Sequence, residues 1–194
     1  MTGLLSLPME PAPPEEWRLL SEDPAYANWV TVTRRVFQMP DGQVSEWDII
    51  NGSRTVAVVA QTSTGEFLLV RQFRPGPMRI FDELPGGYAR AGEAVEETAR
   101  RELLEETGYQ AGSIEVIGST WMTANATVER FVALARDCVK VADPNFDRDE
   151  YGQVLLVAAD TFVHHVRQGE ITDQGVAYRV LDHLGLLGPG STPA

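Results

Sequence analysis

The sequence predicts an α/β fold in which a mixed β-sheet lies between helical layers, with a pair of antiparallel strands ahead of it. Three observations support this prediction. Runs rich in β-branched and aromatic residues alternate with turn signals. One strongly helical segment, residues 94–107, interrupts these runs, and two further helical segments follow the last of them. Strands interrupted by one helix and closed by others are typical of a sheet covered on both faces.

The elements follow in order along the chain. Residues 1–25 contain five prolines and are expected to form an extended or partly disordered arm. Residues 26–52 are expected to form the strand extension, with strands over 29–37 and 44–50 around the turn Pro40-Asp41-Gly42. The main domain is expected over 53–187. Its first strands, 54–61 and 66–73, flank Ser63-Thr64-Gly65.

Three more strands and two helices complete the predicted domain. The strands are expected over 113–119, 128–135 and 153–158, after the helical segment 94–107. The helices are expected over 161–167 and 172–184, with Asp160 and Thr172 as their N-caps. Residues 188–194 are expected to be a flexible tail.

Composition narrows the functional classes. The 194 residues carry a net charge of −12, which argues against a nucleic-acid surface, because phosphate contacts need clustered Lys and Arg. Cys138 is the single cysteine, so no intrachain disulfide framework is expected. The first residues lack the basic segment of a signal peptide, and no apolar run is long enough for a membrane helix. A cytoplasmic protein without a membrane partner is expected.

The most informative segment runs from Gly87 to Tyr109 and reads GYARAGEAVEETARRELLEETGY. Residues 94–107 contain no Gly or Pro, and the following Gly108 is expected to be the helix C-cap. Glu102, Glu105 and Glu106 lie at i, i+3 and i+4, so three carboxylates crowd one helix face. Such crowding is unfavourable unless a cation neutralises it, and Mg²⁺ prefers oxygen ligands. The alternative is an ordinary solvated helix with surface salt bridges.

The same segment resembles the Nudix box, G-x5-E-x7-R-E-U-x-E-E-x-G-U, in which U is apolar. The matching charged and glycine positions are Gly87, Glu93, Arg101, Glu102, Glu105, Glu106 and Gly108. The resemblance implies the α/β/α Nudix sandwich. It also implies a metal site for Mg²⁺, with Mn²⁺ possible, made by Glu102, Glu105, Glu106 and the Gly86 carbonyl. Arg101 would brace one of the carboxylates.

Flanking segments resemble the ADP-ribose and nucleoside-diphosphate-sugar pyrophosphatases of this family. These segments are the N-terminal strand pair, Arg71-Gln72-Phe73-Arg74, Asp82-Glu83-Leu84-Pro85-Gly86-Gly87, the pair Glu129-Arg130, and the acidic loop Asp147-Arg148-Asp149-Glu150. One marker departs from the pattern, because Ala124 stands where that branch carries a proline. In that branch the N-terminal strands help to build a homodimer, which is therefore expected here.

The resemblance also implies roles for individual residues. Glu150 would be the general base or a further metal ligand, and Glu129 would orient water or a metal. Arg74, Glu83 and Arg71 would face the substrate, while Trp29 and Trp47 would stack on its base. The alternatives are ordinary surface charges for Glu150, Glu129 and Arg71, and core or interface packing for the two tryptophans.

The implied reaction is metal-dependent hydrolysis of a nucleoside diphosphate linked to a sugar, with ADP-ribose giving AMP and ribose 5-phosphate. Two alternatives stay open. The first is a Nudix hydrolase of another nucleotide, such as GDP-mannose, a dinucleoside polyphosphate, NADH or a damaged nucleoside triphosphate. The second is a Nudix-fold protein that senses a nucleotide without cleaving it.

Overall fold

The computed structural model describes residues 15–146 and 151–188. The chain divides into two compact units, one ending at Asn51 and the other beginning at Gly52. The predicted tail lies outside the described residues except for Gly188. The helices described here are all too short or too polar to cross a membrane.

The first unit is a three-stranded antiparallel sheet in the order β1 (Arg18–Ala27), β2 (Thr31–Gln38) and β3 (Val44–Asn51). β2 and β3 form the predicted hairpin, and Gly42 at its turn has φ 83°. The predicted arm needs correction over residues 18–25, which form most of β1. Pro24 is compatible with this strand because β1 is at the edge of the sheet and Pro24 adjoins an irregularity in the register.

Among the described residues, the second unit contains eight strands and three helices. They are β4 (Thr55–Thr62), β5 (Phe67–Arg74), β6 (Arg79–Glu83), β7 (Gly86–Tyr88), α1 (Val95–Thr107), β8 (Tyr109–Gln110), β9 (Ser113–Trp121), β10 (Glu129–Lys140), β11 (Gly152–Val157), α2 (Ala159–Gln168) and α3 (Gln174–His183).

The eight strands form one mixed sheet. Its main order is β11-β5-β4-β10-β8, with β6 beside β5, β7 beside β4 and β9 beside β10. β4 and β10 are parallel, and the other pairs are antiparallel. The short strands β6, β7 and β8 were not predicted. β7 begins with two glycines, which have low strand propensity, so its pairing with β4 makes it a strand.

Alternating residues of β4 show that the sheet is covered on both faces. Val56 and Val58 belong to one apolar cluster, which includes Leu103 of α1. Ala57 and Val59 belong to the other, which includes residues of α2 and α3 such as Phe162, Val166, Val176 and Val180. Successive residues of a strand point to opposite faces, so α1 covers one face and α2 with α3 covers the other. The predicted α/β/α sandwich is confirmed.

The helix ends agree with the sequence at α1 but not at α2 and α3. Gly108 ends α1 in the left-handed conformation, with φ 75°, and donates its N–H to the Leu104 carbonyl. The N-caps of α2 and α3 are Ala158 and Asp173, so the predictions of Asp160 and Thr172 are wrong. Asp160 lies instead in the first turn of α2, where an acidic side chain is favoured by the helix dipole.

Candidate active site

Arg101 is the centre of a group of carboxylates on and beside α1. All five of its N–H donors have acceptors, and only 15% of its side chain is exposed. Nη1 donates to Glu102 at 2.7 Å and to Glu105 at 3.0 Å. Nη2 donates to the Tyr88 carbonyl at 3.0 Å. The guanidinium therefore bridges two of the three crowded carboxylates and joins α1 to β7.

Glu93 receives the remaining donors of Arg101. Its carboxylate accepts Nε at 2.9 Å and Nη2 at 3.0 Å, together with the Arg90 backbone N–H and the Thr98 hydroxyl. The hydrogen bond from Arg101 and that from the Arg90 backbone lower the pKa of Glu93 from 4.5 to about 2. The hydrogen bond to Glu93 is the largest cause that raises the pKa of Arg101 above its ordinary value, and the bonds to Glu102 and Glu105 add to it. Glu93 thus fixes the position of Arg101 from the side opposite Glu102 and Glu105.

Gly86 and Gly87 allow β7 to lie directly against the acidic face of α1. Gly86 donates its N–H to Glu106 at 3.0 Å, and Glu106 is buried. A Cβ atom on Gly87 would lie 2.5 Å from Glu102 Oε1, and one on Gly86 would overlap the Val56 carbonyl oxygen. Gly86 therefore requires glycine because of its close approach to backbone, whereas Gly87 leaves the Glu102 carboxylate in its position.

The oxygen donors of this region fit a hard divalent cation. Glu102, Glu105 and Glu106 extend from one helix face toward the β7 segment, and the missing Cβ of Gly87 provides the space in which the Glu102 carboxylate lies. Over residues 15–146 and 151–188, His, Cys, Asp and Glu side chains form no cluster of three or more that could hold a metal by themselves. Mg²⁺ commonly takes only one or two carboxylates and completes its shell with water and phosphate oxygens, so this donor set suits it.

Arg74 and Glu83 form a second charged group, on the strands that lead into β7. Arg74 Nε donates to Glu83 Oε2 at 2.6 Å, and Glu83 is only 1% exposed. The Thr172 backbone N–H, just before α3, lies 3.3 Å from Glu83 Oε1. Arg74 is partly exposed, so one end of this pair faces solvent and the other is held inside the unit.

Arg71 lies in a different setting from Arg74. It forms a two-point ion pair with Asp82, at 2.6 and 2.8 Å, and His165 Nε2 lies 2.9 Å from the same carboxylate. Burial raises the pKa of Asp82, but the bonds and charges of Arg71 and His165 outweigh it and leave the pKa below its ordinary value. β5 alternates between the two faces, and Asp82 contacts α2, so Arg71 extends over the face opposite α1.

The other predicted site residues belong to different elements of the chain. Glu129, at the start of β10, accepts a hydrogen bond of 2.6 Å from the Ser119 hydroxyl. Trp47, on β3, makes an edge-to-face contact with Trp17, and Trp29 is 93% exposed in the turn before β2. Both tryptophans belong to the first unit. Glu150 lies outside the described residues, so its role stays a prediction.

Comparison with known proteins identifies the family. A model of the NUDIX domain matches residues 52–174. The chain belongs to the NUDIX family. This NUDIX chain is 31% identical over 145 residues to an ADP-ribose pyrophosphatase of Bacillus subtilis (strain 168), covering 74% of this chain and 78% of that relative. It is 29% identical over 143 residues to a methanol dehydrogenase activator of Bacillus methanolicus, covering 70% and 75%.

A solved structure agrees with the fold of this NUDIX chain. It is described as the crystal structure of an ADP compounds hydrolase, with a TM-score of 0.76, 16% identity, and coverage of 91% of this chain and all of that one. The resemblance to Nudix hydrolases, and the enzyme class that it implied, are confirmed. Nudix hydrolases generally use a divalent metal ion.

Sequence reasoning did not assign roles to several residues that the structure places beside the candidate site. Glu93 was part of the matched box, but its four hydrogen bonds were not anticipated. Asp82 lay in a quoted segment but had no assigned role, and His165 and Asp173 carried no motif. The contacts of His165 with Asp82 and of Asp173 with Arg130 join positions far apart in the chain. Of these residues, Glu93 was the one that carried a sequence signal, because it belongs to the matched box. A box residue that is not itself a metal ligand is expected to hold the ligands in position.

Proposed function

We propose that this chain hydrolyses the pyrophosphate bond of a nucleoside diphosphate linked to a sugar, with ADP-ribose giving AMP and ribose 5-phosphate. The observation that carries the proposal is the complete Arg101-centred carboxylate group on α1, lying against Gly86 and Gly87. The Bacillus subtilis relative named ADP-ribose pyrophosphatase supports the choice of substrate class.

The metal site is proposed to consist of Glu102, Glu105, Glu106 and the Gly86 carbonyl. A bound Mg²⁺ or Mn²⁺ ion would supply charge neutralisation for the pyrophosphate oxygens and a more acidic water. Arg101 keeps Glu102 and Glu105 in place through hydrogen bonds of 2.7 and 3.0 Å. In the reaction, water adds to one phosphorus atom, the bond from that phosphorus to the bridging oxygen breaks, and two phosphate monoesters are formed.

The remaining roles are part of the same proposal. Glu150 accepts the proton of the attacking water, and Glu129 orients water or a metal. Arg74, held by Glu83, binds phosphate or ribose. Arg71 is proposed to face the substrate with the exposed part of its side chain, while Asp82 holds its guanidinium. Trp29 and Trp47 stack on the base, as aromatic rings can. A homodimer formed through the first unit and a cytoplasmic location complete the proposal.

The test is a substrate panel assayed at several millimolar Mg²⁺. Phosphate released by a coupled phosphatase reports on ADP-ribose, GDP-mannose, UDP-glucose, NADH and a diadenosine polyphosphate. Nucleoside triphosphates are followed by chromatography, because the phosphatase attacks them directly. Preference for ADP-ribose is the expected result and would make Ala124 a harmless variation. Preference for another nucleotide sugar would support the same substrate class but contradict ADP-ribose as the substrate.

The matched variants are Glu106→Gln and Glu96→Gln, the same change on the same helix. Glu96 is exposed in the first turn of α1, so its variant should retain wild-type activity. Glu106→Gln should lower the metal-dependent rate by at least about tenfold, because it removes a ligand charge. An effect smaller than tenfold would contradict the assigned metal site.

A second candidate function is regulation of another enzyme, favoured by the relative named methanol dehydrogenase activator. If no compound of the panel is hydrolysed and the protein binds a nucleotide in a way that EDTA abolishes, the result would support a sensor. It would also overturn the hydrolase proposal.

A further inference from the structure

Asp173 caps α3 in an unusual way. An N-cap aspartate ordinarily accepts a backbone N–H from the first turn of its helix. Asp173 makes no such side-chain bond; its carboxylate instead lies 2.7 Å from Arg130 Nη1 on β10. The first turn of α3 is thereby tied to a central strand of the sheet.

The Arg130 guanidinium relies on the Asp173 carboxylate as its charge partner. Its Nε is buried and has no hydrogen-bond partner among the described residues. Breaking a buried ion pair by removing one partner is strongly unfavourable, because it leaves the other charge buried and uncompensated. The pair therefore restrains both the strand and the start of the helix.

The residue before Asp173 reaches the substrate-binding pair. Thr172 donates its backbone N–H to Glu83 Oε1 at 3.3 Å, while Arg74 Nε donates to Glu83 Oε2 at 2.6 Å. Glu83 is thus oriented from one side by the α3 end and from the other by Arg74. Because the Cα atoms of adjacent residues stay about 3.8 Å apart, movement of the Asp173 backbone also moves Thr172 and its N–H.

The four charges also act on each other. Burial raises the pKa of Asp173, the charge of Glu83 raises it further, and the charges of Arg130 and Arg74 oppose this rise. The order along the group is Arg74, Glu83, Asp173 and Arg130, so two buried acids lie between two arginines. Removal of either carboxylate, Glu83 or Asp173, therefore changes the electrostatic environment of the other.

We propose that Asp173, paired with Arg130, is a positioning residue for Arg74 and acts through Thr172 and Glu83. This inference rests on the proposed function, in which Arg74 binds the phosphate or ribose of the substrate. Asp173 itself contacts no substrate. Its role is to fix the carboxylate that aims the Arg74 guanidinium.

The kinetic test compares Asp173→Asn with Asp182→Asn, the same change at an exposed position of the same helix. With ADP-ribose and Mg²⁺, Asp173→Asn should raise KM about tenfold and leave kcat within about threefold, because substrate binding is affected more than chemistry. The Mg²⁺ concentration for half-maximal rate should change less than about twofold. Asp182→Asn should match the wild type.

A double-mutant cycle with Arg74→Ala separates positioning from general destabilisation. If Asp173 acts through Arg74, Asp173→Asn should raise KM by less than about twofold once Arg74 is absent. The same increase in both backgrounds, or an unchanged KM in the single variant, would overturn the proposal. If Asp173→Asn does not fold, Arg130→Lys takes its place in the cycle, with the same criterion.

An NMR measurement keeps this inference separate from the proposed function. The Nε–H resonance of Arg74, assigned by its loss in Arg74→Ala, reports on the bond to Glu83 without any substrate. Asp173→Asn should shift it and speed its exchange with water, whereas Asp182→Asn should not. An unchanged Arg74 signal overturns the positioning role even if the enzyme is active. If the Arg74 signal shifts but the protein hydrolyses no compound of the panel, the positioning role of Asp173 is supported and only the proposed function is refuted.

Discussion

Replacing Glu93 by Gln should destabilise the protein in a strongly pH-dependent way. The Glu93 carboxylate accepts four hydrogen bonds, two of them from Arg101, and its pKa falls from 4.5 to about 2. At about 1.4 kcal/mol per pKa unit, the difference corresponds to about 3 kcal/mol. Water screens a partly accessible pair, so we expect about half of this, or about 1.5 kcal/mol, at pH 7.

The sign follows from the lowered pKa. Ionised Glu93 contributes its full stabilisation above the unfolded pKa of about 4.5, and the contribution is lost as pH falls toward 2. At pH 3 about two-fifths of it should remain. The difference between wild type and Glu93→Gln should therefore shrink from about 1.5 kcal/mol at pH 7 to about 0.6 kcal/mol at pH 3.

Urea denaturation in EDTA, followed by circular dichroism at both pH values, measures this difference without metal effects. The control is Glu97→Gln on the same helix, where the exposed carboxylate accepts, within the described part of the chain, only the Ala94 N–H at 3.2 Å. Glu97→Gln should lower the free energy of unfolding by less than about 0.5 kcal/mol at both pH values, as expected for an exposed polar contact. A Glu93 effect of the same size at pH 7 and pH 3 would refute the reasoning.

Three further predictions concern the same regions. Gly87→Ala should fold, because a flexible Glu102 side chain can move away, but its kcat/KM should fall at least about tenfold. Gly86→Ala meets backbone instead and should lose about 3 kcal/mol in urea denaturation; equal stability of the two variants would contradict this distinction. EDTA should abolish hydrolysis yet lower Tm by less than about 3 °C, because Arg101 holds Glu102 and Glu105 in place without a metal. His165→Ala should cost about 1–2 kcal/mol by removing a partner of buried Asp82, and an unchanged urea midpoint would show that this contact adds nothing.

The sequence predicted the local elements whose signals are local. α1 was expected over residues 94–107 and runs from Val95 to Thr107, because its residues favour helix and Gly108 ends it. Both hairpins were predicted from their turn residues and the runs beside them. The short strands β6 and β7 were missed, since their pairing with β5 and β4 outweighs their weak propensity.

The three candidate ligand carboxylates could be predicted to lie together because they belong to one helix, where spacing alone places them on one face. The hydrogen-bond and ion-pair partners of the charged residues could not be predicted in this way. Arg101 takes acceptors from α1, from the loop before it and from β7, and His165 meets Asp82 across 83 residues.

By itself, the sequence determined the family, the sandwich fold and the acidic face of α1, because these depend on periodicity, propensity and a dense motif. Only the tertiary structure decided that Gly87 makes room for Glu102, that Arg71 and Arg74 have separate acidic partners, and that Asp173 pairs with Arg130 instead of capping α3. The physical reason is that the partner of a buried charge is chosen by which segments the packed core brings together, and local sequence does not contain that information.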